Sequence, residues 1–244
     1  MVPKELIDWR TIPEAHNTQY REAMGTYHFA RDFAKGVKVL DAGCAYGYGA
    51  DFLASYASRV TGVDFNAQAI RFARKHYQKD NLEFFVVDLT KLEFPESSFD
   101  LVCLFEILRG AEKLKPVLAE LKRIVTQKGI LLATVQPNDE YPAERWQKIF
   151  SDSGFIVHDS YGLYRPKIVY ELEEQLSRIR SFDFLGARRV IPRQVISWFE
   201  YWLARHRGVT PAAELAYDEF KVSKDEAGIR RGVLFIAGKP GAEG

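Results

Sequence analysis

Asp41, Asp64 and Asp88 each close an apolar run of strand length, and the first is followed at once by the turn Gly43-Cys44-Ala45-Tyr46-Gly47-Tyr48-Gly49. Glycines let a backbone approach a ligand or take positive φ, and the turn aims the free N–H groups of the next helix at that ligand. A carboxylate ending the second strand, ~20 residues after a glycine turn, suits the hydroxyls of a ribose. Asp64 fits that role. Asp88 then falls where an adenine amino group needs an acceptor, with Phe65 and Leu89 offering flat apolar surface. The spacing G-x-x-x-G-x-G is not the dinucleotide pattern. Asp41, directly before the turn, would repel two phosphates but welcome an ammonium, which favours a ligand that joins adenosine to an amino acid.

The elements that must hold these residues alternate. Strand-length apolar runs occupy 37–41, 60–64, 82–88, 99–105, 130–135, 155–158 and 232–237, and helical patterns occupy 50–58, 67–77, 112–125 and 143–153. Continuous apolar strands separated by helices predict an α/β fold, a Rossmann-like, doubly wound, seven-stranded and mostly parallel sheet. Asn66 is placed to cap the second of these helices, and Lys128-Gly129 to turn into the fifth strand. Upstream, Tyr27, Ala30, Phe33 and Ala34 have helical spacing, with Thr26 as the expected cap and Gly36 as the stop. The expected organisation is therefore an N-terminal helical arm (1–35), a nucleotide-binding domain (36–164 and 228–240) and an inserted helical cap (165–227).

Composition bounds the function. The 244 residues carry 34 Lys plus Arg against 33 Asp plus Glu, so no global field recruits nucleic acid or an anionic membrane. Cys44 and Cys103, the only cysteines, lie in apolar runs and read as core thiols, and no metal site is suggested. No run approaches the ~18 apolar residues of a membrane span, and nothing at the N-terminus resembles a signal peptide, which points to a cytoplasmic protein.

Together, Val39-Leu40-Asp41-Ala42-Gly43-Cys44-Ala45-Tyr46-Gly47, Gly62-Val63-Asp64, Val87-Asp88 and Phe99-Asp100-Leu101-Val102 leading to Phe105-Glu106 resemble the class I S-adenosylmethionine-dependent methyltransferases. The resemblance spans roughly residues 20 to 160 and the last strand. It implies S-adenosyl-L-methionine as cofactor, with Asp41, Gly43, Cys44, Ala45 and Gly47 around its amino-acid end. It also places Asp64, Phe65, Asp88 and Leu89 around its nucleoside and Phe105 and Glu106 after the fourth strand. Tyr20 and Tyr27 look like the aromatic positions that close over the cofactor from the arm in many relatives.

Two departures bear on activity. Ala45 stands where many relatives have glycine, and Arg109-Gly110 replaces the Glu-His pair common in the small-molecule branch. The Asn/Asp-Pro-Pro-aromatic motif of nucleic-acid amino methyltransferases is absent, which argues against DNA or RNA. The expected acceptor is a small molecule or a glycan or lipid precursor. A general base is optional for methyl transfer; His28, His158 and Glu106 are the candidates, and the catalytic residues stay unassigned. Two alternatives remain open: a cofactor-binding protein without transferase activity, and a nicotinamide-dependent oxidoreductase, against which Asp41 and the glycine spacing argue.

The cap is dense in aromatics and arginines, among them Trp198, Phe199, Trp202, Arg188, Arg189 and Arg193. Core packing is its leading reading. An acceptor pocket, a homodimer interface, an anion site on the acceptor and peripheral docking on an anionic membrane are the others.

Overall fold

The computed structural model describes residues 18–108, 114–138, 141–165, 221–224 and 229–241. Arg109-Gly110 and all but the ends of the expected cap lie outside the described residues. The elements run α1 (Thr18–Ala34), β1 (Lys38–Ala42), α2 (Tyr48–Ala54), β2 (Arg59–Asp64), α3 (Ala67–His76), β3 (Leu82–Val86) and β4 (Phe99–Leu108). They continue as α4 (Leu114–Ile124), β5 (Val125–Val135), α5 (Ala143–Asp152), β6 (Ile156–Arg165), β7 (Lys221–Ser223) and β8 (Ile229–Gly238). The strands form one sheet in the order β3-β2-β1-β4-β5-β8-β6-β7. Strands β1 to β5 pair in parallel; β8 is antiparallel to β5 and β6, so β6 runs with β5.

Seven strands were expected, and the described residues form eight. The additional one, β7, is a three-residue antiparallel edge on β6 and falls inside the stretch read as helical cap.

The strands bury both faces because side chains alternate across the pleat. Along β1 and β4, Val39, Leu101, Cys103 and Phe105 face a core closed by α1, α2 and α3, while Leu40, Ala42, Val102 and Leu104 face a core closed by α4 and α5. Asp41 alternates onto the first of these faces, in register with Cys103. In α1, Ala23, Tyr27, Ala30 and Ala34 recur at helical spacing and are buried, which lays the arm across that face.

Two local expectations are corrected. Thr26 is no cap: it lies buried inside α1, whose described span already runs from Thr18 and whose buried stripe extends upstream of Tyr27 to Ala23. Lys128-Gly129 does not precede the fifth strand but lies within it, because Val125 already pairs with Phe99 and a register shift follows. Asn66 does cap α3, its side-chain oxygen accepting from the N–H groups of Gln68 and Ala69.

Candidate active site

In an open parallel sheet a ligand crevice forms where strand order reverses. Here β1 leads outward to β2 and β3, and the chain then returns to β4 on the other side of β1, so by that rule the place to look for a ligand crevice is between the turn after β1 and the end of β4.

The turn is built on unusual backbone. Gly43 and Gly47 have φ of 82° and 87°, and Ala45 takes φ 47°. The N–H groups of Gly43 and Cys44 both donate to the Val63 carbonyl, at 2.7 and 3.0 Å, which ties the turn to β2. Asp64 completes the tie: its carboxylate accepts from the Ala45 N–H at 3.0 Å and the Asn66 N–H at 2.8 Å. A carboxylate has room for about four hydrogen bonds, so Asp64 keeps acceptor positions for a ligand.

Space around Gly47 and Gly49 belongs to the protein's own side chains. A Cβ at Gly47 would stand 2.7 Å from the Ala73 Cβ and 2.8 Å from the Phe84 ring, and a Cβ at Gly49 would fall within the Tyr27 ring. Neither position would tolerate a side chain even without a ligand.

Tyr27 is the least expected member. Its hydroxyl donates to Asp41, 3.1 Å from each carboxylate oxygen, and its ring packs edge-on against Phe105 and Tyr48 with centroids 5.1 and 5.8 Å away. Both side chains are buried, Tyr27 at 4% and Asp41 at 1% exposure. Tyr27 sits in the core that α1 makes with the sheet. Of Tyr20, the structure describes the place on α1 alone.

Burial pushes the Asp41 carboxyl up to about 7; the Tyr27 hydrogen bond opposes this and the negative Asp64 adds to it. Among the described residues no basic group contributes. The same burial, with Asp41 nearby, raises the Cys44 and Cys103 thiols well above their ordinary range, so both are unreactive core groups. It raises the Tyr27 hydroxyl as well, so that group remains a neutral donor.

The expected nucleoside side is more open. Strand β3 ends at Val86, so Asp88 lies beyond it, exposed, with one carboxylate oxygen accepting from the N–H and hydroxyl of Thr90 at 2.8 Å each. Those bonds hold its carboxyl below the usual range. Phe65 is 82% exposed, whereas Leu89 packs against the core under α4 and α5.

At the far lip, Glu106 adopts φ 58°, and its N–H donates to the Thr134 hydroxyl of β5 at 2.9 Å. An outlier held in this way marks a backbone fixed by its surroundings. Thr134 was missed in the sequence; its signal was a hydroxyl within the apolar run Ile130-Leu131-Leu132-Ala133-Thr134-Val135. His28 packs on Phe52 with centroids 4.5 Å apart. His158 is in the wrong place for a base: it sits at the start of β6 beside Gly129 and Gly238, at the opposite end of the sheet from the crevice.

A family model described as a methyltransferase domain matches residues 40–133. The chain is 26% identical over 210 residues to a fatty-acid O-methyltransferase of Mycolicibacterium smegmatis, covering 84% of this chain and 72% of the relative. It is 27% identical over 205 residues to a probable S-adenosylmethionine-dependent methyltransferase of Mycobacterium tuberculosis, covering 77% and 70% respectively. Among solved structures, the (4+2) cyclase SpnF superposes with a TM-score of 0.59 at 17% identity, over 92% of this chain and 83% of that one, a likeness of fold.

Proposed function

From the premise that the chain belongs to the class I S-adenosylmethionine-dependent methyltransferase family, we propose that it methylates a small lipidic acceptor at an ionised carboxylate or a hydroxyl. The observation that carries this reading is the pair of acidic strand ends at the switch point. Asp41 is buried with no cation against it among the described residues, and Asp64 retains unspent acceptor positions. That pair complements an ammonium and a ribose and opposes a diphosphate.

The residues present fit the cofactor. Asp64 accepts from the ribose hydroxyls, Asp41 takes the ammonium, Phe65 offers its exposed ring to the adenine, and Phe105 with Glu106 borders the methionine end. Asp88 reaches the adenine amino group through the oxygen that Thr90 leaves open. The bound cofactor supplies a methyl group activated on a sulfonium. The protein's share is to fix the acceptor in line with that methyl and to keep water out.

The acceptor class is supported by the fatty-acid O-methyltransferase relative. A carboxylate is already ionised at neutral pH and needs no base, so the distant position of His158 is no obstacle. For a hydroxyl acceptor, Glu106 is the candidate base, since its backbone is fixed at the lip of the crevice. Fold alone does not name a reaction, as the likeness to a cyclase illustrates.

The test is transfer of a labelled methyl from S-adenosylmethionine to a panel of fatty acids and hydroxylated lipids. Label recovered in an ester or ether supports the reading. Label recovered only on water-soluble acceptors would overturn the lipidic class, and cofactor binding without turnover on any acceptor would favour a binding protein without transferase activity.

A further inference from the structure

Asp41 and Tyr27 form a closed unit that ordinary packing does not require. The carboxylate is buried at 1% exposure and both its oxygens share one neutral hydroxyl hydrogen. Among the described residues, the groups that face the unit are Cys103 from β4, Cys44 from the turn, Asp64 from β2 and Tyr48 from α2, acting on Asp41 directly or through Tyr27. None is a cation. A buried anion with no positive partner is expensive, whereas a protonated carboxyl in the same place is not. Gly49 is kept without a side chain so that the Tyr27 ring can lie there, which fixes the hydroxyl over the carboxylate.

We propose that Tyr27 is a positioning residue that couples cofactor capture to proton release: Asp41 waits as a carboxylic acid under the Tyr27 hydroxyl and gives up its proton when the cofactor's ammonium arrives. The proposal rests on the cofactor site assigned above. In the exchange the Asp41 O–H bond breaks, its proton leaves to solvent, and the carboxylate pairs with the ammonium while the Tyr27 hydroxyl keeps it oriented. No covalent bond to the cofactor forms. The arm thus sets the charge state of the site from behind, and Tyr27 need not touch the cofactor.

The group that burial holds at about 7 sets the expected profile. Below that value binding must displace a proton, so affinity falls with pH; above it, affinity is flat. Between pH 8 and pH 6 the dissociation constant rises about tenfold. Tyr27→Phe removes the one hydrogen bond that favours the charged form, so the midpoint of the profile moves to higher pH.

The experiment is calorimetric titration of the full chain with S-adenosylhomocysteine at pH 6, 7 and 8, each in two buffers of different ionisation heat. The expected result is release of about one proton per ligand at pH 6 and about a tenth of one at pH 8. With it come the tenfold weakening and an upward midpoint shift in Tyr27→Phe. Binding that is pH-independent and releases no proton overturns the proposal while leaving the cofactor site standing. An unshifted midpoint in a folded Tyr27→Phe overturns the role of Tyr27. Absence of binding at every pH overturns the cofactor site, and the proposal with it.

Discussion

Replacing Asp41 by Asn should move the stability of the ligand-free protein in the variant's favour as pH rises from 4 to about 7, with no further gain above that. Asp41 holds its proton far more tightly folded than unfolded. Its contribution to stability is therefore complete below the unfolded value of 3.8 and is lost as pH rises through about 7. Carried to pH 8, the difference between those values corresponds to about 4 kcal/mol, an upper bound because relaxation and water penetration soften burial. Asn keeps an oxygen for the Tyr27 hydroxyl but brings an amide that must find its own partners. That cost does not change with pH and drops out when the same pair of proteins is compared across pH. For a chain of this length, about 2 to 4 kcal/mol corresponds to roughly 5 to 15 °C in midpoint. The assay is thermal unfolding of wild type and Asp41→Asn at pH 4 to 8 without cofactor. The midpoint difference between variant and wild type should increase steadily from pH 4 and level off above pH 7. A constant difference across that range would refute the account of Asp41 as a buried acid without a cation.

Ala45→Gly should stabilise the protein by about 0.5 to 1 kcal/mol in urea unfolding, since relief of a left-handed backbone exceeds the added chain entropy of glycine. Gly49→Ala should cost about 2 to 3 kcal/mol through collision with the Tyr27 ring, and most of that cost should vanish when Tyr27 is also Ala, a coupling read from a double-mutant cycle. Asn66→Ala should cost about 1 kcal/mol by uncapping α3, measurable in the same unfolding titrations.

The parallel part of the sheet was legible because buried parallel strands write themselves as continuous apolar runs, and the aspartates that interrupt those runs stand out, although Asp64 alone is a strand's last residue: Asp41 precedes the last residue of β1 and Asp88 lies two residues beyond β3. Asp64 was found in this way, and its ties to the turn follow from the strand-end position it was given. The partnership of Tyr27 with Asp41 was not legible. The two lie fourteen residues apart, and their meeting depends on how α1 crosses the sheet, which helical spacing alone does not encode. That α1 runs upstream through Thr26 was hidden because Tyr27, Ala30, Phe33 and Ala34 alone do not show the buried Ala23 one turn earlier. His158 was misplaced for a related reason: β6 is ten residues long, so a histidine near its start is a full strand length from the crevice. Gly47 and Gly49 read as room for a ligand, yet the side chains that need the room, Phe84, Ala73 and Tyr27, come from elements whose packing only the fold reveals.

The account stands on Asp64 and the turn after β1 holding an adenosine-bearing cofactor. Equilibrium dialysis of labelled S-adenosylmethionine against wild type and Asp64→Asn, with NAD as competitor, tests it most directly. The account predicts saturable micromolar binding that NAD does not displace and that Asp64→Asn weakens at least tenfold, with both proteins folded. Binding that is indifferent to Asp64, or that yields to NAD, would contradict it.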